Sequence, residues 1–426
     1  MNGDVYVATY EADSPPCVAT TCPGYPVDYE RTVVVGQGTP SRNIGGIFQD
    51  KPMLEVDRTS SQFEGNLYVC WSRFTGLGQN KIYFSRSTDH GATFSRPIAI
   101  SRSNEVKSVQ GCDIAVEADG DVYVTFRTFD AQSPHVNNGV AFARSTDGGQ
   151  SFSNVEQAVT FTPYFPFDSS RDCGDGPELC PTGFVFHRVP LEPRATSDPE
   201  GTLPGVYITY NAVDPATVVP STTSYSSGNP GEVGQSRVYI ARSVDDGATW
   251  TPVAVDVAPR GHQYFSDVDA FGGVLTTVYH DSRPDPCYSV QLPIGNTPGA
   301  TSCGTSIVET RFTYSTDGAT FAPSTVVSAV THQPQYEMFA NRDVPFQGDY
   351  NWIQLARVSD TELFGYMTWT DNRDVVPGPD PRETTQDGFD VLQCRIPTAT
   401  SPDQCANAGG LDQNIYGNQV SFSVTP

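Results

Sequence analysis

Residues Ser87-Thr88-Asp89-His90-Gly91-Ala92-Thr93-Phe94 spell a turn that the chain repeats: STDGGQSF at 145–152, SVDDGATW at 243–250 and a copy one residue shorter, STDGATF, at 315–321. Each follows a short alternating run, namely Lys81-Ile82-Tyr83-Phe84, Val140-Ala141-Phe142-Ala143, Arg237-Val238-Tyr239-Ile240 and Thr310-Arg311-Phe312-Thr313-Tyr314. A period of two marks a strand, so each turn closes a β-hairpin. Ser and Asp side chains satisfy the N–H groups of a tight reversal, Gly supplies positive φ, and the aromatic residue drops into the core beside the hairpin. The repeat is structural and points to one sheet built several times over.

The pattern Ser-x-Asp-x-Gly-x-x-aromatic resembles the Asp-box, or BNR repeat, of the sialidase (neuraminidase) superfamily, where it joins the third and fourth strands of propeller blades. With its flanking strands the resemblance covers roughly residues 46–330. It implies a sialidase-like β-propeller. Asp-boxes also occur in lyases, in other glycosidases and in non-catalytic propellers.

A second repeat agrees. Gly3-Asp4-Val5-Tyr6-Val7-Ala8-Thr9-Tyr10 matches Gly120-Asp121-Val122-Tyr123-Val124-Thr125-Phe126-Arg127, and Gly65-Asn66-Leu67-Tyr68-Val69-Cys70-Trp71 has the same form. Gly205-Val206-Tyr207-Ile208-Thr209-Tyr210, 274–279 and 363–369 complete the series of second strands. First strands precede them at 52–56, 113–116, Val189-Pro190-Leu191, 266–270 and 352–355. None precedes Asp4, so the C-terminal segment 418–423 is expected to close the first blade. The fold class expected is all-β, a six-bladed β-propeller of four-stranded antiparallel blades, with seven blades as the alternative. One domain of 1–426 then holds blades at 1–45 plus the C-terminal segment, 46–105, 106–165, 183–260, 261–332 and 333–417.

Composition fits a secreted β protein. The chain has 34 Pro, 38 Gly, 11% aromatic and only 17% charged residues, and no linker or charge run divides it. A net charge of −24 argues against nucleic acid and anionic membrane surfaces as partners. It also means that an anionic ligand must be drawn in by a local basic patch. No apolar stretch approaches the ~20 residues of a membrane span. Met1 stands directly before a strand-like segment, so a secretory leader is expected to have been removed. The expected state is a monomer.

Ten cysteines suggest an oxidising compartment. Cys17 and Cys22, Cys173 and Cys180, Cys287 and Cys303, and Cys394 and Cys405 lie close in sequence inside loops, leaving Cys70 and Cys112 as a long-range couple. No Cys-x-x-Cys supports a metal site.

In an up-and-down blade the Ser-x-Asp turns mark one end, so the long insertions (130–139, 161–187, 212–235, 283–308, 331–348 and 374–388) share the other. Loop length gathered at one end of a rigid scaffold is what a binding site requires. Four second strands finish there with an arginine: Arg73, Arg127, Arg283 and Arg373. Guanidinium groups at equivalent ring positions can converge on one anion; the alternative is that Arg283 and Arg373 pair with Asp281 and Asp371 of their own loops. Asp50, Asp113, Asp267 and Asp349 recur at the starts of first strands, either as a general acid in a desolvated pocket or as structural caps. His135, His187, His262, His280 and His332 fall on the same face.

In sialidases three arginines clamp the sugar carboxylate, an aspartate is the acid/base and a glutamate-activated tyrosine is the nucleophile. By place, the resemblance implies Asp50 as acid/base, Tyr350 or Tyr264 as nucleophile and Arg73, Arg283 and Arg373 as the clamp. The family's Phe/Tyr-Arg-Ile-Pro motif is absent, its nearest echo being Pro40-Ser41-Arg42-Asn43-Ile44. The acid-sugar substrate class also suits a uronic-acid polysaccharide lyase, in which Arg127 or Arg188 acidifies the α-proton and His187, His280 and Tyr264 move protons. A non-catalytic glycan- or protein-binding propeller is the third reading. No cofactor is required. Aspartates in 281–285 and 371–380 make Ca2+ a candidate structural ion without EF-hand spacing.

Overall fold

The computed structural model describes residues 3–12, 27–39, 46–76, 79–101, 108–129, 138–164, 167–168, 192–292, 294, 307–334, 337–339, 344–345, 347–375 and 413–424. The chain divides into two compact units, 1–157 and 158–426. Among the described residues there is no α-helix; Pro215–Thr217 is a single 3-10 turn capped by Asp214.

In the first unit β1 (Val5–Ala12) and β2 (Val27–Gly36) form a two-stranded sheet. β3 (Ile47–Val56), β4 (Leu67–Thr75), β5 (Gln79–Ser87) and β6 (Ile98–Ala99) follow as a four-stranded antiparallel meander. A second consists of β7 (Val109–Val116), β8 (Val122–Thr128), β9 (Gly139–Ser145) and β10 (Glu156–Thr160). The disulfide Cys70–Cys112 ties β4 to β7, as the spacing of these cysteines led us to expect. Of the other cysteines only Cys287, which is buried, lies among the described residues.

In the second unit β12 (Arg194–Ser197), β13 (Val206–Val213), β17 (Ser236–Ser243) and β18 (Thr251–Ala254) make one meander. β19 (Gln263–Phe271), β20 (Val274–Asp281), β21 (Glu309–Ser315) and β22 (Thr325–Val326) make the next. The last sheet has three strands, β25 (Asn351–Ser359), β26 (Glu362–Asp371) and β27 (Asn414–Ser423). Short ribbons decorate the insertions: β11 (Phe167–Asp168) with β15 (Tyr225–Ser226), β14 (Val219–Pro220) with β16 (Glu232–Val233), and β23 (Glu337–Phe339) with β24 (Val344–Pro345).

Two expectations change. The C-terminal strand does not complete the first sheet: β27 pairs with β26 over its whole length, from Asn414 opposite Asp371 to Ser423 opposite Glu362. Its Tyr416, Val420 and Phe422 pack on Phe312, Met367 and Trp369, which is why it stays there. The inner strand of the sheet that holds β13, β17 and β18 is Arg194–Ser197; Val189-Pro190-Leu191 lies outside the described residues.

The four turns share one hydrogen-bond pattern. Ser87 Oγ donates to Asp89 Oδ1 (2.7 Å) and accepts from Gly91 N (2.9 Å), while Thr93 N donates to Asp89 Oδ1 (2.8 Å). Ser145, Ser243 and Ser315 repeat the serine bonds with Asp147 and Gly149, Asp245 and Gly247, and Asp317 and Gly318. Gly91 has φ 82, which explains the glycine.

Inner strands begin irregularly. Pairing slips by one residue between Asp50 and Met53, between Gln110 and Cys112, and between Tyr264 and Asp267. Lys51 (φ 51), Gly111 (φ 61) and Phe265 (φ 50) take the left-handed backbone at these bulges. Bulges re-aim side chains next to functional sites, and a bulky residue such as Phe265 in that region is strained.

Candidate functional site

In the second unit the starts of β12, β19 and β25 lie side by side, stitched by aspartates. Asp267 accepts from Ile353 N (2.7 Å), and Asp269 accepts from Thr196 Oγ1 (3.2 Å), Gln354 Nε2 (2.8 Å) and Leu355 N (2.6 Å). This gives the recurrent inner-strand Asp267 a structural function. In the first unit Asp50 accepts from Gln110 Nε2 at 3.3 Å.

Above this seam lies a narrow crevice lined by Glu192, Arg194, Asn211, Phe265, Ser266, Asp349, Tyr350 and Asn351, with room for about one water molecule. Arg194 is its centre and is only 3% exposed. Its guanidinium lies 3.4 Å from Glu192 Oε2 and 3.9 Å from Asp267 Oδ1, and 5.2 Å and 4.8 Å from the ring centroids of Tyr350 and Trp352. Asn351 Nδ2 donates to the carbonyl of strained Phe265 (2.8 Å), and Asn211 Nδ2 to that of Gln263 (2.6 Å). One cation facing two carboxylates beside two aromatic rings can bind an anion once its partners yield.

Beside the crevice is a buried polar cluster. Tyr264 and His280 are both 0% exposed, and neither presents an atom to solvent. Tyr264 Oη donates to Gln347 Oε1 (2.6 Å), and burial pushes its pKa well above the usual phenol value. Thr310 Oγ1 is 3.2 Å from His280 Nδ1, and His280 meets Tyr264 and His332 at ring-centroid distances of 5.2 and 5.7 Å. Asn372 N donates to His332 Nδ1 (3.3 Å), and burial lowers the His332 pKa to about 4. Tyr264 and His280 are thus buried in this closed state, whereas Tyr350 lines the crevice.

The strand-end arginines are each engaged locally. Arg283 binds Asp281 (Nε to Oδ2, 2.9 Å) and Asp256, and Asp256 also accepts from Tyr279 Oη (2.9 Å). Arg373 binds Asp371 (2.6 Å) and covers the Tyr416 ring at 3.8 Å. The own-loop pairing therefore holds for both. Burial raises the Asp281 pKa against the opposing pull of Arg283; at Asp371 burial also opposes ionisation, yet the Arg373 hydrogen bond and His332 outweigh it and the pKa falls. In the first unit Arg73 Nε donates to Gln49 Oε1 (3.1 Å) above the Tyr83 ring (3.8 Å). Arg127 is fully buried and donates to Asn138 Oδ1 and to the carbonyls of Thr128 and Gly139. His187 and Arg188 lie outside the described residues. Among the described residues no cluster of three or more His, Cys, Asp or Glu is arranged to hold a metal ion, and no helix is long and apolar enough to cross a membrane.

Sequence reasoning missed Glu192 and Arg194 because it started the inner strand at Val189, five residues before Arg194. A signal was present: Val56-Asp57 and Ser197-Asp198 both end an inner strand on an aspartate that closes the following turn, Asp57 through Thr59 N and Asp198 through Glu200 N and Leu203 N.

No family model matches the sequence, and no curated protein matches it. Solved structures that resemble the fold include an alpha-L-arabinofuranosidase from Fusarium graminearum (10% identity, 79% of this chain and 77% of that one, TM-score 0.40). A Trypanosoma rangeli sialidase (14% identity, 76% and 44%, TM-score 0.39) and an ulvan lyase (10% identity, 75% and 66%, TM-score 0.38) are others. At these identities and scores the likeness assigns neither activity nor substrate.

Proposed function

We propose that this chain is a secreted, carbohydrate-active β-propeller: a sialidase-like exo-glycosidase for carboxylate-bearing sugars, centred on the Arg194–Tyr350 crevice. The observation that supports it is the placement of Arg194 against Tyr350, with Glu192 and Asp349 lining the same crevice. The four Asp-box turns support the scaffold assignment. Arg194 binds the sugar carboxylate, Tyr350 Oη attacks the anomeric carbon as the glycosidic bond breaks, Glu192 accepts the phenol proton and Asp349 protonates the leaving oxygen; water, giving its proton to Asp349, then attacks the anomeric carbon and frees the sugar, and Tyr350 Oη recovers its proton from Glu192. A neutral nucleophile suits a substrate that already carries a carboxylate beside the reacting carbon. Entry of a sugar requires Phe265 or Tyr350 to move, because the closed crevice holds about one water. No cofactor enters this scheme.

A uronate lyase is the second reading, because an arginine beside a tyrosine also suits elimination, with Tyr350 as base. The purified chain is to be tested on sialosides and uronate polysaccharides, reading released sugar and near-ultraviolet absorbance together. Released sugar without absorbance, reduced ~10²–10⁴-fold in Tyr350→Phe and Glu192→Gln with unchanged melting, supports the glycosidase. Rising absorbance moves the assignment to the lyase. Full activity in Tyr350→Phe removes the crevice as the centre, and a folded, inactive wild type leaves a binding module. Asp50→Asn and Arg373→Ala probe the acid and the clamp that the family resemblance implies.

A further inference from the structure

One amide in the crevice of the second unit is satisfied at only one end. Asn351, the first residue of β25, is 2% exposed and lines the crevice with Phe265 and Tyr350. Its Nδ2 donates to the carbonyl of Phe265 (2.8 Å), and because a carbonyl can only accept, that bond fixes which end of the amide is nitrogen. Its Oδ1 is buried and accepts from no group among the described residues. A buried acceptor without a donor is costly, and folded proteins keep few of them.

The surroundings indicate what kind of molecule supplies that donor. The crevice admits about one water molecule, which can serve Oδ1 in the free protein. A ligand that displaces the water must bring a donor of its own, since a CH2 at that place leaves the oxygen unpaired. The same crevice holds Arg194, a cation that suits a carboxylate, and the rings of Phe265 and Tyr350, which suit the C–H faces of a sugar. Rotation of the Phe265 side chain opens the crevice without moving the backbone carbonyl, so Asn351 keeps its orientation as a ligand enters.

Resting on the assignment of the Arg194 crevice as the sugar site, we infer that Asn351 determines specificity there: its Oδ1 accepts from one hydroxyl or amide N–H of the acid whose carboxylate Arg194 binds. The ligand class narrows accordingly to hydroxylated or N-acylated sugar acids. An otherwise identical acid with hydrogen in place of that one group is rejected. A fixed, buried acceptor discriminates more sharply than an apolar pocket, because the wrong ligand leaves a polar atom stranded.

The test uses the full chain with methyl glucuronide, methyl galacturonide and a methyl sialoside, each beside analogues in which one hydroxyl or the acetamido group is replaced by hydrogen. Affinity is read by calorimetry, and kcat/KM wherever there is turnover. Wild type should prefer a parent over one of its analogues by about tenfold to a hundredfold, and Asn351→Ala should erase that preference. Asn351→Asp loses the bond to Phe265 but keeps an acceptor, so the preference should survive in it while overall affinity for the acid falls. An Asn351 that merely supported Phe265 would weaken every ligand alike and leave the ratio unchanged in both variants. If Asn351→Ala does not fold, Asn351→Leu, of similar volume and without an acceptor, takes its place. Wild type treating every analogue as its parent overturns the inference, as does a ratio that persists without the acceptor. Discriminating binding without turnover keeps Asn351 and removes the glycosidase; turnover with the ratio unmoved keeps the glycosidase and removes Asn351. A folded chain that neither binds nor converts any of these sugars overturns both.

Discussion

Ser145 makes three hydrogen bonds with one buried hydroxyl: it donates to Asp147 Oδ1 at 2.8 Å and accepts from Gly149 N at 2.9 Å and Asp147 N at 3.4 Å. Ser145→Ala leaves two turn N–H groups short of an acceptor and should cost about 1–2 kcal/mol in urea unfolding. Asp89 makes a prediction about acid. Its side-chain bond from Thr93, then the Thr93 backbone and Ser87, hold its pKa near 2 against an ordinary 3.8. A carboxylate with a depressed folded pKa contributes stability that is complete above about pH 4 and lost as pH falls through about 2. Hydrogen bonds lower Asp245 and Asp317 in the same way. Asp89→Asn should therefore flatten the decline of stability between pH 4 and 2, read as denaturant midpoint against pH. These turns were legible in sequence because every partner lies within four residues.

At the scale of strands and loops, His332 couples two elements. Its backbone bridges Val308 while its Nδ1 receives Asn372 N, next to the Asp371–Arg373 pair, and His280 stands at 5.7 Å. Burial is the main reason its folded pKa is about 4, below the ordinary 6.5; Asp371 raises it and Arg373 lowers it, and the desolvation prevails. The folded state thus resists the proton that the unfolded chain accepts, so stability is complete above about pH 6.5 and falls as pH drops toward 4. His332→Gln keeps an acceptor for Asn372 N and cannot titrate, so its stability should change less across that window in pH-dependent melting. A wild-type slope surviving in the variant would place the titration elsewhere, with His262, lowered to about 3 by burial, next to examine. The second strands were read correctly because Gly-x-Val-Tyr-Val announces both turn and strand. The inner strand at Arg194 was not, since Val189-Pro190-Leu191 offered a more apolar run. Polar Arg194-Ala195-Thr196-Ser197 is a strand because its neighbours on β13 and β19 bond to it. For the same reason the crevice escaped detection: Glu192, Phe265 and Tyr350 become neighbours only through sheet packing, and nothing local in sequence brings them together.

On the scale of the molecule, one covalent tie and one charge imbalance carry consequences. Cys70–Cys112 closes a loop of 42 residues between adjacent sheets of the first unit, and its loss in a Cys70→Ser/Cys112→Ser double variant should cost about 2–4 kcal/mol in denaturant unfolding. The net charge of −24 acts on any charged substrate. If the substrate bears a carboxylate, long-range repulsion slows its approach, and Arg194 attracts it only at short range because Glu192 and Asp267 already stand within 4 Å of its guanidinium. Salt shortens the range of that repulsion, to about 10 Å at 0.1 M, while leaving contacts inside the desolvated crevice nearly untouched. Turnover of an acidic sugar should therefore rise in kcat/KM between low salt and about 0.15 M, with kcat nearly constant. A fall in kcat/KM with added salt would mean that a positive local field overrides the overall charge at the site, and would direct the search to a basic cluster other than Arg194.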